Sequence, residues 1–261
     1  MTDAVAAEWL KLRTLRSTAG VMIALALFVG LMALFGWYAV HLWQSTAPQS
    51  RDRIWVTPLE YLTEPIAQMC LAVLGVLTIT AEYSTGAIRT TLTLTPQRST
   101  VLVAKALVVA AVALVAGTTA IFATSLVSRL IVGDRPINGL ASTGVGGRLP
   151  QLTALSLSVT VFALLGFGLG AVTRSAVAAI SVLAAVWYPV PMIVYHLPAP
   201  WGERISSLLP GALAGQLVDP IGGSASVYGT WLSPPGAAVA MLGYAVLPIA
   251  LAGVVINRRN A

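Results

Sequence analysis

Few side chains in this sequence could do chemistry, and their spacing narrows what that chemistry is. Only 9% of the 261 residues are charged, and the chain carries one cysteine and two histidines. Cys70 sits inside an apolar run and reads as a small buried hydrophobe, so neither a disulfide framework nor a cysteine metal cluster is expected. His41 and His196 stand at the ends of separate apolar runs, with no His-x-x-x-His or His-Glu-x-x-His spacing to hold a metal. No Gly-x-x-x-x-Gly-Lys-[Ser/Thr] loop is present to cradle a nucleotide phosphate. A membrane protease or lipid transferase would need paired polar groups at one depth, and none is visible. No catalytic, cofactor-binding or metal-ligating residue is assigned, and the chain reads as no enzyme by itself.

Two features remain. Glu64, followed by Pro65, lies about one turn inside an apolar run. One reading is an ordinary carboxylate near a helix N-terminus, favoured by the helix dipole; the other is an outer gate for a substrate. The second feature is the polar stretch Glu82-Tyr83-Ser84-Thr85-Gly86-Ala87-Ile88-Arg89-Thr90-Thr91-Leu92-Thr93-Leu94-Thr95-Pro96-Gln97-Arg98. It reads as a short amphipathic helix closed by Pro96, with Ile88 and Leu92 on one face and Arg89 beside them. Such a helix between two spans can dock on a soluble partner and pass movement to the membrane. A plain interfacial hairpin with retained arginines fits the same residues.

The elements that must carry these residues are membrane helices. A chain 57% hydrophobic and 9% charged has too little polar surface to coat a soluble globule of this size. Uncharged stretches of about 20 residues fall at 17–40, 61–81, 101–132, 151–172, 175–196 and 236–256, with 82–100 as the candidate coupling region and 1–16 ahead of the first span. The first apolar core is longer than the roughly 7–15 residues of a signal-peptide core. An all-α integral membrane fold with six spans follows, read as a single domain over 1–261.

Charge gives the orientation. One side of the six spans holds nine of the fifteen basic residues but only Asp3, Glu8 and Glu82 of the nine acids, so the whole formal charge of +6 falls there. The positive-inside rule makes that side, with both termini, cytoplasmic. The basic balance is thus a topology signal, and no nucleic-acid partner is expected. Trp37, Trp43, Trp55, Trp187, Trp201 and Trp231 are expected at or beyond the outer span ends, as an aromatic belt. On the inner side Val5, Trp9 and Leu12 share a helical stripe with Glu8, Lys11, Arg13 and Arg16 around it. That pattern suits an interfacial helix lying in the headgroup layer. On the outer side the stretch 197–235, with Leu208-Leu209-Pro210-Gly211-Ala212-Leu213, is too apolar for a solvated loop and suggests short helices dipping into the bilayer. Gly166, Gly168 and Gly170 suit close helix packing, and Pro189 and Pro191 suit a bend in the fifth span.

The strings Ala7-Glu8-Trp9-Leu10-Lys11-Leu12-Arg13-Thr14-Leu15-Arg16-Ser17-Thr18 and Thr80-Ala81-Glu82-Tyr83-Ser84-Thr85-Gly86-Ala87-Ile88-Arg89-Thr90-Thr91-Leu92, with Thr95-Pro96-Gln97-Arg98, resemble the permease subunits of bacterial ABC transporters of the type 2 exporter family. The specific motifs cover about thirty residues, while span number and loop plan match along the whole chain. The resemblance implies an N-terminal interfacial helix, six spans, a cytoplasmic coupling helix between the second and third, and a re-entrant outer segment before the sixth. It implies a coupling role for Glu82, Gly86, Arg89, Pro96 and Arg98, with Tyr83, Ile88 and Leu92 in the same string. It implies two copies of a separately encoded ABC ATP-binding subunit carrying the ATP and magnesium, and a second permease, identical or paralogous. The place would be a bacterial plasma membrane and the direction export. A mostly apolar path suits a drug, natural product, peptide or lipid, hence multidrug efflux or antibiotic resistance. A non-transporting immunity or sensor component is the alternative.

Overall fold

A computed structural model describes residues 2–14, 16–85, 98–140, 145–218 and 232–258. The elements, in chain order, are α1 (Thr2–Thr14), α2 (Arg16–Ser45), a 3-10 turn (Pro48–Arg53), α3 (Leu59–Thr85), α4 (Arg98–Val132), α5 (Val145–Thr173), α6 (Ala176–Trp187), α7 (Pro189–Tyr195), α8 (Trp201–Leu208), α9 (Pro210–Val218) and α10 (Pro234–Arg258). Among the described residues there is no strand, only one isolated bridge between Trp55 and Asn138. Six helical stretches are long and apolar enough to cross a membrane: α2, α3, α4, α5, α6 with α7, and α10. The expected number of six is therefore matched by helices long and apolar enough to span a membrane. The largest departures from the expected bounds are in α2, which runs on to Ser45, and in α5, which already begins at Val145; α3 also runs on through Glu82 and Tyr83 to Thr85, and α4 begins at Arg98.

The centre of the bundle is the seam between α3 and α5. Its closeness depends on residues without side chains. A Cβ on Gly75 would come within 2.3 Å of the Ala163 carbonyl oxygen, and one on Gly166 within 2.4 Å of the Ala72 carbonyl oxygen. One turn further on, a Cβ on Gly170 would meet Ile79 at 2.9 Å. Gly168 points the other way, towards α10, where its missing Cβ makes room for Pro248. Gly166, Gly168 and Gly170 of α5 thus serve packing on two opposite neighbours. Leu71, Val109, Val159, Ala163 and Phe167 fill the space between α3, α4 and α5.

Around this centre α2, the α6–α7 pair and α10 turn large apolar side chains outward, among them Leu27, Leu34, Val177, Met192, Leu242 and Leu251. In a membrane protein these face lipid or another membrane chain at no hydrophobic cost. The fifth span is broken: α6 ends at Trp187, Tyr188 stands between, and α7 starts on Pro189, which cannot donate the next helical hydrogen bond. Trp187 departs from the expected belt. It lies roughly 18 Å along α6 from the Arg174 turn and packs edge-on against Phe162, ring centroids 5.4 Å apart, in a buried cluster. Buried apolar contact has overridden the interfacial preference of the indole. Trp37, Trp55 and Trp201 are exposed, and Trp231 lies outside the described residues.

The connections at the end of the bundle away from the termini are tied to one another. The Val56 amide donates to the Asn138 carbonyl at 2.9 Å, and the Asn138 side chain donates to the Asp52 carbonyl at 2.9 Å. Gly139, at φ +88°, adopts a backbone that favours glycine, and a Cβ there would strike the Val56 carbonyl. Arg51 stacks over Trp43 at 4.3 Å, and Arg148 pairs with the buried Glu60. The short helices α8 and α9 also pack inward. Leu213 is buried with Ala237 and Met241, and Ala214 with Ile121, Leu152 and Leu155. The Tyr244 hydroxyl donates to the Leu208 carbonyl at 3.1 Å, setting the α8–α9 junction roughly 15 Å along α10 from its start.

The seam makes a direct prediction. Gly166→Leu should drive a side chain into the α3 backbone and cost about 1–3 kcal/mol or more. This would be read as a lower thermal midpoint and loss of the monodisperse peak in mild detergent. Gly30→Ala, where a Cβ meets nothing within 4 Å, should leave both unchanged.

Candidate functional site where α1, α3 and α4 meet

Lys105 lies in α4, in an otherwise apolar run, and is only 2% exposed. A lone buried ammonium is costly in a membrane helix unless a counter-charge is supplied. Two carboxylates supply it. Glu82, near the end of α3, accepts from Lys105 Nζ at 2.6 Å, and Glu8, from α1, also pairs with Lys105. Lys11, one turn beyond Glu8 on α1, bridges back to both, at 3.0 Å from Glu8 and 3.1 Å from Glu82. Two cations and two anions thus balance within one knot that joins three elements distant in sequence. Burial opposes the charge on Lys11, but its hydrogen bonds to Glu8 and Glu82 and the field of those two carboxylates outweigh it, holding its pKa above that of ordinary lysine. A raised lysine pKa stabilises fully below the ordinary value and loses that contribution only as pH climbs through the raised one. The Lys11 link therefore stays intact throughout the neutral range.

α1 is held by apolar contact as well. Leu12 is buried in the main core with Val5 packed beside it, while Trp9 and Arg13 stay exposed. The expected interfacial stripe is thus divided, Leu12 inward and Trp9 outward. Arg16 opens α2.

A second contact sits beside the knot. Residues 173–175 turn α5 into α6 within a few residues. Arg174 adopts φ +56°, and Ser175 caps α6 by accepting from the Ala178 amide. The Arg174 guanidinium lies over the Tyr83 ring at 5.3 Å, a cation–π contact. Glu82 and Tyr83, the first two residues of the expected coupling string, are therefore held, one by α1 and α4, the other by the α5–α6 turn. Glu82 Oε2 and Arg174 Nε are buried without a hydrogen-bond partner among the described residues. Gly86, Ile88, Arg89, Leu92 and Pro96 lie outside the described residues; Arg98 opens α4. Sequence reasoning gave Glu8, Lys105 and Arg174 no site role. The available signal was Lys105, a cation in an apolar run with few acids on its side of the membrane to neutralise it.

Glu64 is the sixth residue of α3 and is buried in its seam with α5. The Gln68 amide donates to Glu64 Oε1 at 3.0 Å and to the Ser158 hydroxyl at 2.7 Å. One turn towards the helix start, the Thr63 hydroxyl meets that of Thr124 on α4 at 3.2 Å. The carboxylate is thus a member of a polar seam between α3 and α5, in the half of the bundle away from Glu82, and does not sit in an open first turn. Among the described residues no group of three or more His, Cys, Asp or Glu could hold a metal.

Six apolar helical stretches centred on α3 and α5, with the buried Lys105 neutralised by Glu8 and Glu82, define a multi-pass helical membrane protein. The chain belongs to the ABC-2 transporter family: the family described as ABC-2 family transporter protein matches residues 4–196. Proteins of this family are transport subunits, not themselves catalytic, and work with ABC ATP-binding subunits. No curated protein matches the chain.

Two predictions concern these residues. Lys105→Met leaves two carboxylates at the knot with only the half-exposed Lys11 to balance them. It should cost about 3–5 kcal/mol, seen as a collapse of folded yield, and adding Glu8→Gln with Glu82→Gln should recover much of it. Glu64→Gln keeps an acceptor for the Gln68 amide and should leave the thermal midpoint nearly unchanged. Glu64→Leu strands that amide and should cost about 1–3 kcal/mol.

Proposed function

We propose that this chain is the membrane-spanning subunit of an ATP-driven exporter, coupled through residues 82–98 to separate ATP-binding subunits. The observation that carries the reading is the fixing of Glu82 to Lys105 and Lys11, beside a family match that includes the coupling string. A push delivered to the segment after Thr85 would reach α3, α4 and α1 together, and through Tyr83 and Arg174 the α5–α6 turn. Glu82 and Tyr83 then act as the rigid root of the coupling element, while Gly86, Ile88, Arg89, Leu92, Pro96 and Arg98 supply the surface that meets the ATPase.

Two permease copies, identical or paralogous, and two ATP-binding subunits make the working unit, in a bacterial plasma membrane with both termini cytoplasmic. ATP and magnesium belong to the partner. Cargo is hydrophobic or amphipathic, a drug, natural product, peptide or lipid, because the spans offer a translocated ion no unpaired charge at mid-depth. The α8–α9 pair, packed against α5 and α10, acts as the re-entrant outer segment. An outer-gate role for Glu64 requires α3 and α5 to part in the outer half of the bundle.

The test is co-purification with the ABC ATP-binding subunit in mild detergent, with ATPase activity measured. Arg89→Glu with Leu92→Glu should leave the permease monodisperse and reduce capture of the ATPase at least about tenfold, the effect of losing roughly 1.4 kcal/mol of binding. Glu82→Gln tests the root separately, because it also disturbs the ion knot. Undiminished capture by a well-folded Arg89→Glu/Leu92→Glu variant would place the docking surface elsewhere. A well-folded wild type that captures no nucleotide-binding subunit would favour a non-transporting role.

A further inference from the structure

Between α1, α2 and α4 lies an apolar cleft of about 680 Å³, within the range of sites that hold a small ligand. Its walls are Met22, Leu25 and Val29 of α2 against Val112, Ala116 and Ala120 of α4. At its α1 end stand Trp9, Arg13 and Thr18. Arg13 is exposed, and among the described residues no hydrogen bond or ion pair is made by its side chain. We propose that this cleft holds an acyl chain of an anionic phospholipid from the leaflet in which α1 lies, with its phosphate on Arg13 and its glycerol region beside Trp9.

Three observations carry this. From Thr18 to Val29 the cleft runs roughly 16 Å along α2, close to half of the roughly 30 Å hydrocarbon core. Its occupant therefore spans one leaflet. A helix from a second copy would cross both leaflets and is about 10–12 Å across. The polar end is cationic and carries an indole, the pairing that suits the headgroup level. An anionic headgroup complements it, and the adjoining knot leaves no free carboxylate there to repel one, since Glu8 and Glu82 are taken up by Lys105 and Lys11. Lipid tails gain nothing hydrophobic on leaving other lipid tails. Preference must therefore come from the headgroup, and so from Arg13. None of this depends on the ATP-driven reading.

The full chain, purified in mild detergent, would be offered equal amounts of dioleoyl phosphatidylglycerol and dioleoyl phosphatidylcholine, and retained lipid counted by native mass spectrometry. The wild type should keep phosphatidylglycerol in preference. Arg13→Ala should cut that preference about fivefold, the share of one surface cation, and Ala116→Phe should fill the cleft and abolish retention of both lipids. An unchanged preference in Arg13→Ala, or undiminished retention in a folded Ala116→Phe, would overturn the proposal. So would an Ala116→Phe variant that retains lipid but loses a self-association the wild type shows, since a second copy would then be the occupant. A readout on the wild type avoids any folding defect: brominated phosphatidylglycerol should quench more tryptophan fluorescence than brominated phosphatidylcholine, and Trp9→Phe should remove the difference. Equal quenching by the two lipids would overturn it as well.

Discussion

The neutralisation of Lys105 is the constraint on which the packing of α1 against α3 and α4 depends. An ammonium 2% exposed in a membrane helix must find anions, and on the basic side of this chain only Asp3, Glu8 and Glu82 exist to provide them. Meeting that demand fixes topology. α3 must end beside α4, and α1 must lie back across both with Glu8 turned in. Leu12 then packs into the core as the apolar counterpart of the same fold-back. The cluster is worth little as a net source of stability, because desolvation of four charged groups offsets most of their attraction. Its value is specificity, since moving Lys105 leaves the buried Glu8 and Glu82 with only the half-exposed Lys11.

The rest of the bundle is organised differently. There the helices meet through removed side chains and short polar ones. Gly75, Gly166 and Gly170 bring the α3 and α5 backbones together, and the Gln68, Glu64 and Ser158 contacts lie in the same seam. Small residues allow close approach, and close approach gives the dispersion and hydrogen-bond contacts that replace a hydrophobic drive in lipid. α5 is consequently the buried axis, covered by α3, α4, α9 and α10, while α2, α6–α7 and α10 present apolar faces to whatever surrounds the chain.

How far the sequence could be read follows from these two kinds of contact. The number of membrane-capable helices was legible because lipid demands long uncharged helices, a signal that needs no tertiary knowledge. The bend at Pro189 was legible for the same local reason. The packing of Gly166 and Gly170 was legible as a type of contact but not as a partner, because nothing in α5 names Gly75 or Ala72. The ion knot was not read at all. Glu8, Glu82 and Lys105 are separated by long stretches, and each taken alone resembles a solvated charge near a span end. Trp187 was misplaced because an interfacial preference worth little was weighed without sight of Phe162 across the seam. Tyr83 was read as part of a docking string, while its partner Arg174 counted only as a charge for topology.

On the proposed coupling role and orientation, movement enters the membrane through the root of residues 82–98. A coupling segment is useful only if its root does not give way under load. A root held by exposed ion pairs would, since such pairs are worth at most about 1 kcal/mol each. Glu82 is held differently, by a lysine that is itself buried, so displacing it from Lys105 exposes charge to a dry environment and is strongly resisted. Tyr83, the next residue, is covered by Arg174 from the other inner turn. Force applied beyond Thr85 would thus be shared between α4, α1 and the α5–α6 corner before any helix could bend. The break at Tyr188, where α6 passes to α7 without a continuous hydrogen-bond ladder, is then the softest place downstream of that corner, and the outer part of the fifth span is where such a displacement would first become a change of shape.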